Sequence, residues 1–84
     1  MKLYRIWQEV NNDYDTFDSA VVAARTSEEA THIHPMEVWG REYDEESDER
    51  DETWCTHFDV QAEYLGEAKP GTKPGVIVAS FNAG

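Results

Sequence analysis

Hydrophobic and polar side chains alternate with a period of two along the first ten residues of the chain. Tyr4, Ile6 and Val10 fall on one face, while Leu3 and Trp7 share the other face with charged residues. A period of two is that of a β-strand. Because both faces carry large apolar groups, we expect this strand, over residues 2–10, to lie inside a sheet.

A second apolar segment follows after a short polar connection. Residues 11–15 (NNDYD) are rich in turn-forming side chains, and residues 16–24 carry Phe17, Val21 and Val22 in a composition typical of a strand. So short a connection predicts that the two strands form an antiparallel hairpin.

The sequence TSEE, which begins at Thr26, has the form of a capping box at the start of a helix. The Thr26 hydroxyl would accept a hydrogen bond from the Glu29 amide, and the Glu29 carboxylate would reach back to the helix start. Pro35 blocks continuation of the helix. We therefore expect a short helix, with Ala30 and Ile33 facing the sheet.

Residues 57–68 alternate again, with Phe58, Val60, Ala62 and Tyr64 on one face that we expect to be buried. A turn-like stretch (KPGTKPG) and an unbroken apolar run (VIVASF) follow, typical of a turn and a central strand. These two strands are predicted to form a second hairpin.

The whole pattern predicts an α+β fold in the order β-β-α-β-β, with a four-stranded, mainly antiparallel sheet and one short helix on one face. At 84 residues, without an internal repeat, the chain is expected to form a single domain over residues 1–84. The side chains expected to be least exposed are Ile6, Val21, Ile33, Val60 and Val78.

Residues 42–52 (EYDEESDERDE), here called the acidic run, interrupt this pattern. Eight of the eleven residues are acidic and Arg50 is the only base, so the run carries −7 of the net −11 of the chain. An unpaired buried charge costs far more than packing returns. We therefore expect the run outside the core, in an acidic insertion over residues 36–54 that forms an extended loop.

The charge and the composition exclude several classes of function. A strongly negative field repels nucleic acid and anionic lipid, so we expect no direct nucleic-acid or membrane binding. Cys55 is the only cysteine, which excludes an internal disulfide. The N-terminus lacks the long apolar segment of a signal peptide, and no stretch is apolar enough to span a bilayer. We expect a cytoplasmic protein.

Four side chains could bind a soft metal: His32, His34, Cys55 and His57. The two helix histidines would face different ways, and the Cys55-x-His57 spacing is too short for a zinc knuckle. His34 is instead expected at the helix C-terminus, against the helix dipole. A possible half of a calcium loop within the acidic run lacks the required glycine. We predict no metal and no cofactor.

The sequence also lacks a pattern typical of catalysis. A general acid needs an environment that raises its pKa, and these carboxylates are expected to be exposed. No serine lies in a nucleophile-elbow context, and no glycine-rich loop precedes a helix. We predict that the protein is not an enzyme, with a small metal-dependent enzyme as the last alternative.

Carboxylates can imitate the phosphates of DNA, which carries about one charge per 1.7 Å of duplex axis. Strand residues two apart lie about 6.6 Å from one another, close to the ~7 Å between successive phosphates. Asp59, Glu63 and Glu67 are expected on one strand face, where they would extend the charge of the run. Trp39 and Tyr43 could act as apolar anchors. The predicted partner-binding residues are Glu42, Asp44, Glu45, Glu46, Asp48, Glu49, Asp51, Glu52, Asp59, Glu63, Trp39 and Tyr43.

Four segments carry a resemblance to a known group of proteins. They are residues 15–24 (DTFDSAVVAA), the helix region 28–35, residues 64–68 (YLGEA), and residues 71–84, where Gly71 and Gly75 precede VIVASFNAG. These segments look like those of small uncharacterised proteins of phages and mobile elements. The resemblance spans most of the chain except the acidic insertion, and it implies no chemistry.

In size and acidity, though not in motif, the chain also resembles phage-borne anti-CRISPR proteins that act as DNA mimics, especially inhibitors of type I surveillance complexes. This resemblance implies a basic nucleic-acid-binding partner, a CRISPR surveillance complex, whose DNA channel the acidic run would occupy. Two alternatives stay open. One is an acidic interaction module that recruits a basic protein without displacing nucleic acid, and the other is a loop that serves only solubility.

Overall fold

The sheet has four antiparallel strands, and the structure, a computed structural model, describes residues 1–10, 14–39 and 53–82. For Trp39 it describes the backbone alone. The elements in chain order are β1 (Lys2–Trp7), β2 (Thr16–Ala24), the helix α1 (Ser27–Thr31), the 3₁₀ helices η1 (Pro35–Trp39) and η2 (His57–Asp59), β3 (Gln61–Glu67) and β4 (Gly75–Asn82). This α+β architecture, with one short α-helix, confirms the predicted fold class.

β1 lies inside the sheet, as its two apolar faces predict. It pairs antiparallel with β2 on one side, where Ile6 is opposite Ala20, and with β3 on the other side. The predicted N-terminal hairpin is therefore confirmed. β1 ends at Trp7, earlier than expected.

The second predicted hairpin is wrong, because β3 and β4 lie at opposite edges of the sheet. The strand order is β3-β1-β2-β4, so β4 pairs with β2 and is not a central strand. The connection from Ala68 to Pro74 crosses the end of the N-terminal hairpin. Seven extended residues can reach about 23 Å, far enough to pass two strands. A short connection with turn-forming residues thus does not require a hairpin.

The core lies on one face of the sheet, under α1 and η1. Ile6, Ile33 and Val60 are buried there, as expected. Val21 and Val78, also expected to be buried, are opposite one another on the other face, and Val78 is exposed. No described element covers that second face, which explains both errors. The core consists of Tyr4, Ile6, Phe17, Ala20, Val22, Ala24, Ala30, Ile33, Trp54, Cys55 and Val60.

β3 is shorter and more exposed than the alternation of residues 57–68 predicted, since it begins at Gln61 and ends at Glu67. Phe58 belongs to η2 and is 85% exposed, because a 3₁₀ turn does not follow the period of a strand. Tyr64 is also exposed, since β3 is an edge strand, and its ring packs edge-on against Tyr4 with centroids 5.9 Å apart. Val60 and Ala62 do face the core.

The start of α1 shows a modified capping box. The Thr26 hydroxyl accepts a hydrogen bond from the Glu29 amide at 3.1 Å, as predicted. The Glu29 carboxylate reaches one residue further back than expected and accepts from the Arg25 amide at 3.2 Å. The Arg25 guanidinium also lies 3.8 Å from the same carboxylate. The helix ends at Thr31, before Pro35, and both Ala30 and Ile33 are buried.

Replacing Thr26 by Ala should reduce the free energy of unfolding by about 1 kcal/mol, because the Glu29 amide loses its acceptor. Thr56 offers a matched control, since it precedes η2 but makes no side-chain capping bond. Chemical denaturation should show a small change for Thr56→Ala. Equal losses for the two variants would show that the Thr26 hydroxyl does not stabilise α1.

Candidate functional site: the base of the acidic run

Most of the predicted partner-binding residues lie outside the described residues. Of that set the structure describes Asp59 and Glu63 in full, and Trp39 through its backbone. The remaining predictions, which the structure does not describe, concern Glu42, Tyr43, Asp44, Glu45, Glu46, Asp48, Glu49, Asp51 and Glu52. The structure does describe the residues that precede and follow this segment in the chain.

Two buried rings mark the ends of that segment. His34 is 2% exposed and Trp54 is 3% exposed, and their ring centroids lie 6.4 Å apart. Phe17 of β2 packs edge-on against His34 at 6.2 Å. His34 and Trp54, which precede and follow the acidic run in the chain, therefore lie side by side in the core.

Hydrogen bonds hold Thr53, the first described residue after the acidic run, in place. The Thr53 carbonyl accepts from the Phe17 amide at 2.9 Å and from Gln8 Nε2 at 3.3 Å. Gln8 is buried, and its Nε2 also donates to the Phe17 carbonyl at 2.8 Å. Thr53 is thus joined to the end of β1 and to the start of β2. The alternation of hydrophobic and polar residues does not indicate this role of Gln8.

Before the acidic run, the chain is held to the core by His34 and η1. His34 Nδ1 accepts a hydrogen bond from the Met36 amide at 3.0 Å, which requires the ring proton to be on Nε2. The prediction that His34 closes the helix C-terminus is wrong, because α1 ends at Thr31 and His32 is its C-cap. Pro35 is fully buried. The chain is therefore attached to the hydrophobic core both before and after the acidic run, at His34 and Pro35 and at Trp54.

The expected line of acidic side chains along β3 is absent. Asp59 lies in η2 and not on the strand. A β-bulge at Leu65 shifts the register, so that Glu63 is opposite Arg5 whereas Glu67 is opposite Lys2. Since paired residues share a face, Glu63 and Glu67 lie on opposite faces of the sheet, each across from a cationic residue. A bulge has no reliable signature in alternation alone, which explains the error.

Glu67 has a second partner within its own strand. The Tyr64 hydroxyl donates to Glu67 Oε1 at 2.8 Å. This hydrogen bond raises the pKa of Tyr64 above its ordinary value, with smaller contributions from desolvation and from the negative charge of Glu67. The Glu67 carboxylate is thus already engaged by the phenol of Tyr64.

The remaining charge is concentrated in the acidic run. The described residues include nine carboxylate and five cationic side chains, a net charge of −4. The acidic run contributes −7 in eleven residues. The acidic run therefore carries much more negative charge per residue than the described part of the chain does.

The four candidate metal ligands do not form one group. Cys55 is buried in the core, while the ring of His32 stacks on that of His57 with centroids 4.0 Å apart. Phe58 extends this stack, 3.9 Å from His57. In the described part of the chain, no three His, Cys, Asp or Glu side chains are placed to hold a metal ion. The absence of a bound metal stays a prediction. The histidine stack could not be predicted from the sequence, because its members come from distant elements.

Comparison of the chain with protein-family models, with curated proteins and with solved structures finds no match. Among the described residues, no helix has the length and the apolar character needed to cross a bilayer.

Proposed function

We propose that the protein is a non-catalytic inhibitor that occupies a positively charged nucleic-acid channel of another protein with its acidic run. The observation that supports this proposal is the proximity of His34 and Trp54, whose buried rings lie 6.4 Å apart and attach the chain to the core before and after the acidic run. A segment held at both ends loses less conformational freedom on binding than a free tail does.

The proposed mechanism is competition with nucleic acid. The carboxylates of the run take the places of phosphates against the lysine and arginine side chains of the channel, and the release of bound counterions contributes to affinity. Because Glu63 and Glu67 are opposite Arg5 and Lys2 on different faces, the run itself, and not β3, supplies the charge.

As the target we propose a type I CRISPR surveillance complex in the host cytosol, with inhibition of its binding to target DNA. The size and the acidity of the chain, which resemble those of anti-CRISPR DNA mimics, support this choice. The proposed partner is therefore a basic nucleic-acid-binding complex. The protein itself contacts neither nucleic acid nor membrane.

The stacked rings favour a second candidate, an interaction module that recruits a basic protein without displacing its nucleic acid. Phe58 is largely exposed at the end of the stack formed with His57 and His32, and Asp59 is next to it in η2. An exposed aromatic ring beside a carboxylate provides an apolar contact for a partner protein. Competition through charge alone does not need this contact.

Binding of target DNA by the isolated surveillance complex tests the proposal. Adding the protein at increasing concentration should displace the DNA, and the effect should weaken steeply as salt rises, because the screening length shrinks to ~8 Å at physiological ionic strength and further above it. Binding of the protein with the DNA still held would contradict competition and favour recruitment. Inhibition that is insensitive to salt would indicate apolar anchoring instead.

A further inference from the structure

The two edge strands of the sheet differ in their protection against pairing with another strand. On β3, Glu63 and Glu67 place charges along the edge, and charged side chains discourage the addition of a further strand. β4 (GVIVASFN) has neither a charged residue nor a proline in its eight residues. In the described part of the chain, no strand lies beyond β4. Within the described residues, the edge at β4 therefore lacks the charged residues and prolines that discourage the addition of another strand.

The outer part of β4 also exposes apolar side chains. Val76, Ala79 and Phe81 pack against the core, whereas Ile77 is 52% exposed and Val78 lies exposed on the uncovered face. Ile77 is the extra residue of a β-bulge against β2, and pairing is regular from Val78 to Ser80. An exposed apolar edge of this kind is normally avoided in a monomer.

The uncovered face of the sheet next to β4 also exposes apolar side chains. A shallow depression of about 140 Å³ is lined there by Val21, Val78 and the two serines Ser19 and Ser80, with Arg5 at its margin. The Arg5 guanidinium lies 4.6 Å from the centre of the Trp7 ring. None of the residues that line the depression carries a carboxylate, although the chain as a whole has a net charge of −11. Two copies that meet over this depression therefore do not bring carboxylates of its lining together.

We propose that β4 pairs antiparallel with β4 of a second copy, which joins two four-stranded sheets into one of eight strands. A two-fold axis at Ala79 would place Val78 opposite Ser80 of the second copy, on the same face. An uncharged strand suits this pairing, because two-fold symmetry puts each side chain near its own counterpart and would set like charges close together. A strand of a basic protein would find no carboxylate on β4 to pair with.

The pairing has a salt dependence opposite in sign to that of the proposed target binding. Two copies repel one another through their net negative charges, and added salt screens this repulsion. Backbone hydrogen bonds and apolar contacts between the two β4 strands are little affected by screening. The dimer should therefore become more stable as salt rises, while competition with DNA weakens. Failure of one proposal can thus be distinguished from failure of the other.

Sedimentation of the full chain over a concentration series, at low and at high salt, tests the pairing. Ile77→Lys should weaken the dimer by about tenfold or more, since a charged side chain would be desolvated at the interface. The matched control is Leu65→Lys, because Leu65 is the bulge residue of the other edge and is 48% exposed. Both changes lower the net negative charge equally, so general repulsion cannot explain a difference between them.

Circular dichroism should show that both variants keep the wild-type fold. If Ile77→Lys unfolds, Val78→Lys provides a second substitution on the same strand, with the same expected loss of the dimer. A wild-type chain that stays monomeric at high concentration and high salt would overturn the pairing. So would an equal weakening of the dimer by Leu65→Lys.

Discussion

Neutralising four carboxylates of the acidic run should abolish the inhibition of DNA binding while the fold stays intact. The variant changes Glu45, Glu46 and Glu49 to Gln and Asp48 to Asn. Each exposed ion pair contributes about 1 kcal/mol or less, so single changes should have small effects. Together they remove more than half of the net charge of the run, which carries −7. The measurement is target-DNA binding by the surveillance complex, titrated with variant and wild type.

A control with the same net charge separates a local effect from a general one. Glu9, Asp15, Asp18 and Glu28 are exposed in the described part of the chain, and their amide substitutions also change the net charge by four. This control should inhibit as well as the wild type does. If the variant of the acidic run inhibits as well as wild type, mimicry through this run is wrong. If both variants fail equally, overall charge and not the run determines binding.

Replacing Trp54 by Ala should destabilise the fold by about 3–5 kcal/mol, as expected when a buried aromatic side chain leaves a cavity. Trp54 is almost completely buried, and its ring lies beside His34 at the base of the acidic run. The loss should appear as a lower midpoint in urea or guanidinium unfolding. We also expect weaker inhibition, because the attachment of the chain after the acidic run would be lost.

Phe58→Ala is the matched control for Trp54→Ala, since Phe58 is a large aromatic residue near Trp54 in the sequence but is exposed in η2. Its unfolding midpoint should change by the equivalent of about 0.5 kcal/mol or less. A loss as large as that of Trp54→Ala would contradict the burial pattern described above. If Phe58→Ala keeps stability but loses partner binding, the recruitment alternative gains support.

Local patterns predicted local structure well. The alternation of Tyr4 and Ile6 indicated an interior strand, and Thr26 with Glu29 indicated the start of the helix. Both features depend on residues that lie close together in the sequence. The charge of the acidic run excluded it from a core by the cost of desolvation alone, although its placement stays a prediction.

The errors have a different origin, because they depend on contacts between distant segments. The alternation of residues 57–68 does not indicate the bulge at Leu65, although the adjacent Gly66 is a residue type that often marks a bulge within a strand. This bulge moves Glu67 to the opposite face from Glu63. Val78 belongs to an apolar run, and only the position of its strand at an edge makes it exposed. The proximity of His34 and Trp54 likewise required the fold.

The strand order β3-β1-β2-β4 separates in the sheet two strands that are neighbours in the chain. The N-terminal hairpin can form from local contacts, but Lys2 pairs with Glu67 and Thr16 pairs with Asn82. Contacts between such distant residues require loop closure before they gain energy, and this slows folding. The closure includes the acidic run, yet its length adds only slowly to the entropy cost. We therefore expect the arrival of β3 and β4 on the two sides of the N-terminal hairpin to limit the rate of folding.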